Sequence, residues 1–196
     1  MLDISNFPWA ECVIVENRNL YVADSLSGVR KKRSLGQHRF ELELTTIDMS
    51  TRQAMSVVAK LGAAAMDDLK FIHPRLSYSA GTVPSNGLIL SRAAKVGDTT
   101  LYVKSTTSQQ WQLKAGDFIQ IGADTKVFQI TDDTPLSTTE QTISLTFPLR
   151  YATNANMQVK AKDVYWLLRS DGKIEYEMVA SENQDIPFTL IAVEKI

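Results

Sequence analysis

The stretch Leu113-Lys114-Ala115-Gly116-Asp117-Phe118-Ile119-Gln120-Ile121 reads as a polar turn delivered straight into a strand. Glycine gives a tight turn its backbone freedom, and aspartate can hydrogen-bond neighbouring backbone there. Phe118 to Ile121 has the aromatic and β-branched composition of a strand. Working outward, Val127-Phe128-Gln129-Ile130 follows after a short loop, and Thr99 to Lys104 precedes the turn. Gln141 to Thr146 and then Phe147-Pro148-Leu149 complete the set. Gly97-Asp98, Gly122-Ala123-Asp124 and Asp132-Asp133-Thr134-Pro135 punctuate it. Short strands at such regular spacing predict a sandwich or small barrel rather than a parallel sheet with helices.

The flanking chain reads differently. Phe40, Leu42 and Leu44 alternate with Arg39, Glu41 and Glu43, the period of a strand with one wet face. Upstream, Pro8-Trp9 through Val15 reads as a strand, Asn17-Arg18-Asn19 as a turn, Arg30 to Arg33 as a hairpin loop, and Gly36 as a break. Ser50 with Gln53 fits a capping box, and Ala54, Met55, Val57, Val58, Leu61 and Ala65 recur at helical spacing. A helix is therefore expected from about Ser50 to Met66. Near the C-terminus Asp163 to Arg169 predicts a buried strand, Ser170-Asp171-Gly172-Lys173 a hairpin turn, and Phe188 to Val193 a last strand. Thr82 to Gly87 has the composition of a boundary. The expected division is an inserted β-module at 87–157 within a discontinuous host domain of 1–86 and 158–196, an insertion placed at a loop.

Composition bounds the function. The 196 residues are 44% hydrophobic and 22% charged, with a net charge of -1. That balance gives no whole-molecule attraction to nucleic acid or to an anionic membrane. No run approaches the ~20 apolar residues of a membrane helix, and the N-terminus lacks the pattern of a signal peptide. Cys12 is the sole cysteine and is expected as a buried core thiol.

Searching for chemistry yields no constellation. His38 and His73 have no partner at metal-ligand spacing, and His38 is read as an exposed or interface residue. Asp67-Asp68 and Asp132-Asp133 lack the spacing of a calcium loop and read as turns or solvated faces. No phosphate loop, dinucleotide fingerprint or nucleophile elbow is present. Trp9, Trp111 and Trp166 read as core or interface anchors. No catalytic, cofactor-binding or metal residue is assigned, and an enzyme is not expected. The one charge cluster is Arg30-Lys31-Lys32-Arg33, with Arg39 nearby. It lacks the interleaved aromatics of a nucleic-acid surface, leaving a solvated loop or an ion-paired subunit contact.

Three stretches, in this order, resemble the distal tail proteins of long-tailed siphophages, in the subtype carrying an OB-fold-like insertion. They are LSGVRKKRSLGQHRFELELTT (Leu26 to Thr46), the single helix, and LKAGDFIQIGADTKVFQITDD (Leu113 to Asp133) followed by ISLTFPLRYATNANMQV (Ile143 to Val159). The resemblance covers most of the chain by order of elements and a smaller share by local pattern. It implies a mainly β protein: a split β-sandwich-type ring domain with one helix, plus an inserted small OB-fold-like β-barrel. It further implies a structural, non-enzymatic subunit of a homo-hexameric ring in the virion tail tip, made in the host cytoplasm. Such a ring joins tail tube protein to tail-tip hub protein, with tape-measure protein and side-fibre or collar proteins as further partners. No cofactor, specific nucleic acid or membrane is implied. A ring closed by head-to-tail contacts needs two complementary surfaces on each subunit. On that argument Arg30, Lys31, Lys32, Arg33, Arg39, Glu41 and Glu43 are the candidate subunit or tube interface. The alternative is a carbohydrate- or receptor-binding module that uses the inserted barrel.

Overall fold

The computed structural model describes residues 1–24, 30–64, 68–84, 87–107, 109–176 and 187–195, with backbone alone at 17–24, 30–37, 51 and 170–176. Its elements in chain order are β1 (Leu2–Asp3), β2 (Trp9–Asp24), β3 (Arg30–Thr46), α1 (Thr51–Ala63), β4 (Leu69–Phe71), β5 (Leu88–Leu90), β6 (Thr100–Ser105), β7 (Phe118–Ile121), β8 (Phe128–Gln129), β9 (Gln141–Ser144), β10 (Val159–Lys160), β11 (Trp166–Tyr176) and β12 (Phe188–Glu194). The protein is mainly β, and the described strands form sheets of six, three and three. The chain divides into two units, Met1–Phe71 with Leu167–Ile196, and Ile72–Trp166.

The first unit holds the six-stranded sheet, in the order β1-β4-β11-β12-β3-β2. It is one sheet, not a facing pair. β1 and β4 are parallel, whereas β11–β12, β12–β3 and β3–β2 are antiparallel. The alternation in β3 sets its faces: Phe40, Leu42 and Leu44 are buried and Arg39 and Glu43 exposed. β12 repeats it, burying Phe188, Leu190 and Ala192 and exposing Ile191. Trp9 packs between Phe7 and Phe188, and its indole N–H donates to the Ile4 carbonyl at 2.7 Å. The helix buries Ala54, Val57, Leu61 and Ala64. Its start is a capping box in which Gln53 Oε1 accepts from the Ser50 N–H at 3.3 Å and the Ser50 hydroxyl at 3.0 Å. It ends at Ala63, short of the expected Met66, and 65–67 lie outside the described residues.

Several local readings change. Asn17-Arg18-Asn19 continues β2, and Arg30 to Arg33 begins β3, paired with Asp24 to Tyr21. Gly36 does not break the run. It sits in a bulge, where Ser34 to His38 spans what Arg18 to Leu20 spans on β2. Asp171-Gly172 is likewise no hairpin turn: β11 runs on through it, with its register on β12 shifted between Ser170 and Ile174. A continuous ladder with a neighbouring strand overrides the turn tendency of these residues.

The second unit is wider at both ends than 87–157, because the chain around Ser77 to Thr82 and Ala161 to Val164 is bonded into it. Ser79 N–H donates to the Ala161 carbonyl at 3.1 Å, Val164 N–H to Ser77 at 3.2 Å and Gln112 N–H to Thr82 at 2.7 Å. Its two sheets are β10-β7-β8 and β5-β6-β9. No closed barrel is present among the described residues, since the ladders stop at the sheet edges. Single bridges, Ile89 to Gln158 and Ile130 to Leu145, are what join those edges. Six strands also exceed the five of an OB-fold. Phe147-Pro148-Leu149 forms no strand. The core includes Trp111, Leu113, Ile119, Phe128 and Trp166, with Phe118 edge-on to Trp166 at 5.3 Å.

The opening turn is the knot of this unit. Gly116 stands at φ +92°, where a side chain would be strained. Asp117 is buried, and its carboxylate accepts the Ala80 N–H at 2.8 Å, the Lys114 N–H at 2.7 Å and the Ser79 hydroxyl. Gln120, also buried, uses its amide as an extra strand position. Its Oε1 accepts the Tyr165 N–H at 3.1 Å, and its Nε2 donates to the Tyr165 carbonyl at 2.9 Å.

Candidate functional site

The feature that distinguishes the first unit is the β2–β3 hairpin. Both strands are long, 16 and 17 residues, and β2 is the edge of the sheet. β12 accompanies β3 only from Thr45 to Glu41. Past that point β2 and β3 continue paired with each other alone, from Asn17–Arg39 to Asp24–Arg30. At ~3.4 Å per residue this two-stranded ribbon extends on the order of 25 Å.

The root of the ribbon is fastened from the core side. Where β12 stops, the buried Glu194 carboxylate accepts the Phe40 N–H at 3.1 Å, replacing the ladder bond that a longer β12 would have supplied. His38 is buried, not exposed. Its Nε2 lies 2.8 Å from Glu16 Oε1 on the opposite strand, and its ring meets Phe40 edge-on at 5.1 Å. Strand parity places His38 on the face of Phe40, Leu42 and Leu44, and that signal was available in the sequence. Cys12 is half-buried on β2, less enclosed than a core thiol, and burial pushes its pKa up to about 11.

The opposite face carries Arg39, Glu41 and Glu43. The register sets Val13, Glu43 and Ile191 in one row across β2, β3 and β12, and Val15, Glu41 and Val193 in the next. Val13, Val15 and Ile191 are each at least 40% exposed. This surface is therefore two lines of branched aliphatics divided by carboxylates, on a sheet whose edge strand has an unpaired side. Arg30, Lys31, Lys32 and Arg33 share the hairpin with this face but stand toward the far end of the ribbon, and their side chains lie outside the described residues.

The carboxylate pairs considered for metal are committed elsewhere. Asp68 bonds Lys195 Nζ at 2.5 Å with Arg169 at 3.6 Å, and the Lys195 bond holds its carboxyl below the usual range. Asp67 is outside the described residues. Asp133 accepts Lys114 Nζ at 2.8 Å and the Ala115 N–H at 2.9 Å, and Asp132 accepts the Thr131 hydroxyl at 2.7 Å. Among the described residues no three His, Cys, Asp or Glu side chains gather as a metal site would require. His73 Nδ1 accepts the N–H groups of Arg75 and Leu76 at 3.0 and 2.9 Å, which fixes a turn. Burial, then the nearby Arg75 charge, lowers its pKa. No described helix is long and apolar enough to cross a membrane. The second unit contains a cavity of about 340 Å³. No protein-family model matches the chain, and a comparison with curated proteins found no match.

Proposed function

We propose that the protein is a non-enzymatic structural subunit of a ring at the distal end of a long phage tail, linking tail tube to tail-tip hub. The observation that carries this reading is the ribbon. A two-stranded hairpin is marginal alone in water, so one extending beyond its sheet calls for a surface to lie on. A neighbouring subunit in a head-to-tail ring supplies that surface, and the same hairpin's aliphatic and carboxylate rows supply a second, different one. The basic residues Arg30 to Arg33 then meet acidic partners across the seam, favouring one register over others. The second unit is read as a barrel-like module available to fibres or other tip proteins. Its bridged sheet edges support this reading, because the order β5-β6-β9-β8-β7-β10 returns to β5 through Ile89 and Gln158.

Light scattering with negative-stain imaging tests the ring. Six copies of 21.9 kDa make about 131 kDa, and a central hole should be visible. Lys31→Glu with Lys32→Glu is expected to abolish the ring while leaving the monomer folded. A monomer at every concentration, or a twofold dimer without a hole, overturns the reading.

A further inference from the structure

The outer edge of β2 has the make-up of a strand-binding site. No described strand lies beyond β2 in the six-stranded sheet. The Phe40 N–H turns away from β2, toward the Glu194 carboxylate. In an antiparallel ladder two opposed residues exchange both hydrogen bonds or neither, and the two kinds of pair alternate. The Glu16–Phe40 pair therefore exchanges neither, and the same holds for Ile14–Leu42 and Cys12–Leu44 along an unbroken register. Cys12 and Ile14 consequently turn their N–H and C=O groups to the outer edge.

Natural edge strands are blunted by proline, lysine, inward charges or short length. Cys12-Val13-Ile14-Val15 has none of these devices within a strand of 16 residues. On the inner face Cys12 and Ile14 are only half-buried, whereas Leu42, Leu44, Leu190 and Ala192 further in are buried. The core layer thus lacks cover at this edge. On the outer face Val13 and Val15 are exposed. Glu11 and Glu43 stand exposed beside them, and Glu41 is half-buried in the same surface.

We propose that β2 binds an extended segment of another protein by antiparallel strand addition, and that this segment alternates lysine or arginine with a branched aliphatic. The outward backbone groups of Cys12 and Ile14 supply the ladder. The aliphatic residues fall on the inner face and cover Cys12 and Ile14. The basic residues fall on the outer face, lay their methylene stems on Val13 and Val15, and bring their charges to Glu11, Glu41 and Glu43. An acidic segment would meet like charge there, and a wholly apolar one would press against carboxylates. Arg39, on the same face, follows Glu41 toward the ribbon, so the basic segment spans Glu11 to Val15 and stops short of it. Within this chain Val159-Lys160-Ala161-Lys162 has the required alternation, but β10 and the Tyr78–Lys162 bridge already hold it. The inference stands apart from the ring reading, because the edge belongs to a single chain and the occupant to a different protein.

The test uses the intact protein and a short peptide in which lysine alternates with valine, followed by calorimetry and amide exchange. Binding is expected with Kd on the order of 100 μM or tighter, and exchange at Cys12 and Ile14 should slow at least about tenfold at saturation. N-methylation of the peptide's valines removes the donors that face β2 and should abolish binding. N-methylation of its lysines blocks only the far edge and should leave affinity within about threefold. Glu11→Lys with Glu43→Lys, both at exposed positions, should weaken binding about tenfold without moving the unfolding midpoint. Absence of binding at about 1 mM peptide overturns the proposal. Equal binding of the two methylated peptides would also overturn it, as would equal binding of a peptide with glutamate in place of lysine.

Discussion

Replacing Asp117 tests whether the turn at Lys114 to Asp117 holds the second unit together. The carboxylate is 6% exposed and receives three donors, of which two are backbone N–H groups, those of Ala80 and Lys114. Alanine leaves all three without an acceptor. Each stranded donor costs about 1–3 kcal/mol, but the shares overlap and water re-enters at the half-buried end, so about 3–4 kcal/mol in total is expected. Asparagine discriminates further. Its carbonyl can still accept from Ala80 and its amide can donate to a reoriented Ser79 hydroxyl, yet the Lys114 N–H then faces another N–H. Asp117→Asn should therefore cost about 2–3 kcal/mol despite its near-identical shape. Trp111 and Trp166 lie in this unit, Trp166 at its border with β11, so urea unfolding followed by tryptophan fluorescence in a Trp9→Phe background reports chiefly on it. With m near ~1–2 kcal/mol/M, a loss of about 3 kcal/mol lowers the midpoint by roughly 1.5–3 M. An asparagine variant within about 0.5 kcal/mol of the parent would refute the reasoning, because surface substitutions outside such networks stay in that range.

A Cβ added at Gly81 would stand 2.1 Å from the Gln112 carbonyl oxygen and 2.8 Å from its carbon, both backbone atoms. Gly81→Ala should thus cost about 3 kcal/mol by the same urea assay. Gly62→Ala, with nothing within 4 Å, should instead stabilise the helix by about 0.5–1 kcal/mol. The lowered pKa of His73 means the unfolded chain takes up its proton first, from the ordinary value of 6.5 downward. Stability linked to His73 is therefore complete above that pH and lost as pH falls from 6.5 toward the lowered folded value, with His73→Asn flattening that limb of the stability–pH curve. Cys12, raised to about 11, should react with thiol reagents at pH 8 on the order of a few hundredfold more slowly than an ordinary cysteine of pKa ~8.5.

What could be read in the sequence follows from which forces are local. Phe118 to Ile121 and Phe188 to Val193 are strands by composition, and the Phe40 to Leu44 alternation fixes which face is buried. The helix declares itself by Ser50 and Gln53. The ribbon does not, because Asn17-Arg18-Asn19 and Arg30 to Lys32 have turn-like or charged composition. They are strands only because each faces the other across a ladder whose register is a long-range property. Asp171-Gly172 misleads for a related reason: the pair that favours a two-residue hairpin also suits a bulge, and only the neighbouring β12 decides between them. Asp117 is legible as a turn residue, but its partners Ser79 and Ala80 are nearly forty positions away. The cavity is more remote still, since its lining comes from two separate segments, Ile121 to Phe128 and Leu149 to Met157.

The topology explains why the chain can be both interrupted and whole. β4 ends at Phe71 and β11 begins at Trp166, yet the two are neighbours in the sheet. The second unit is thus an excursion that leaves and re-enters at adjacent strands, the kind of insertion a folded sheet tolerates. The returning segment then supplies β11 and β12, which lie between β4 and β3 in the interior of the sheet. Without them β1–β4 and β2–β3 would be two separate strand pairs, each too small to stand alone. Folding of the first unit must therefore await contacts more than 140 residues apart in sequence, such as Phe188 N–H to Thr46 Oγ1 at 3.0 Å and Phe40 N–H to Glu194. Such non-local closure is slow, and until β12 docks, β3 keeps an open edge along Glu41 to Thr45 as well as the one β2 retains afterwards. The edge that docking leaves open belongs to the strand that forms the ribbon.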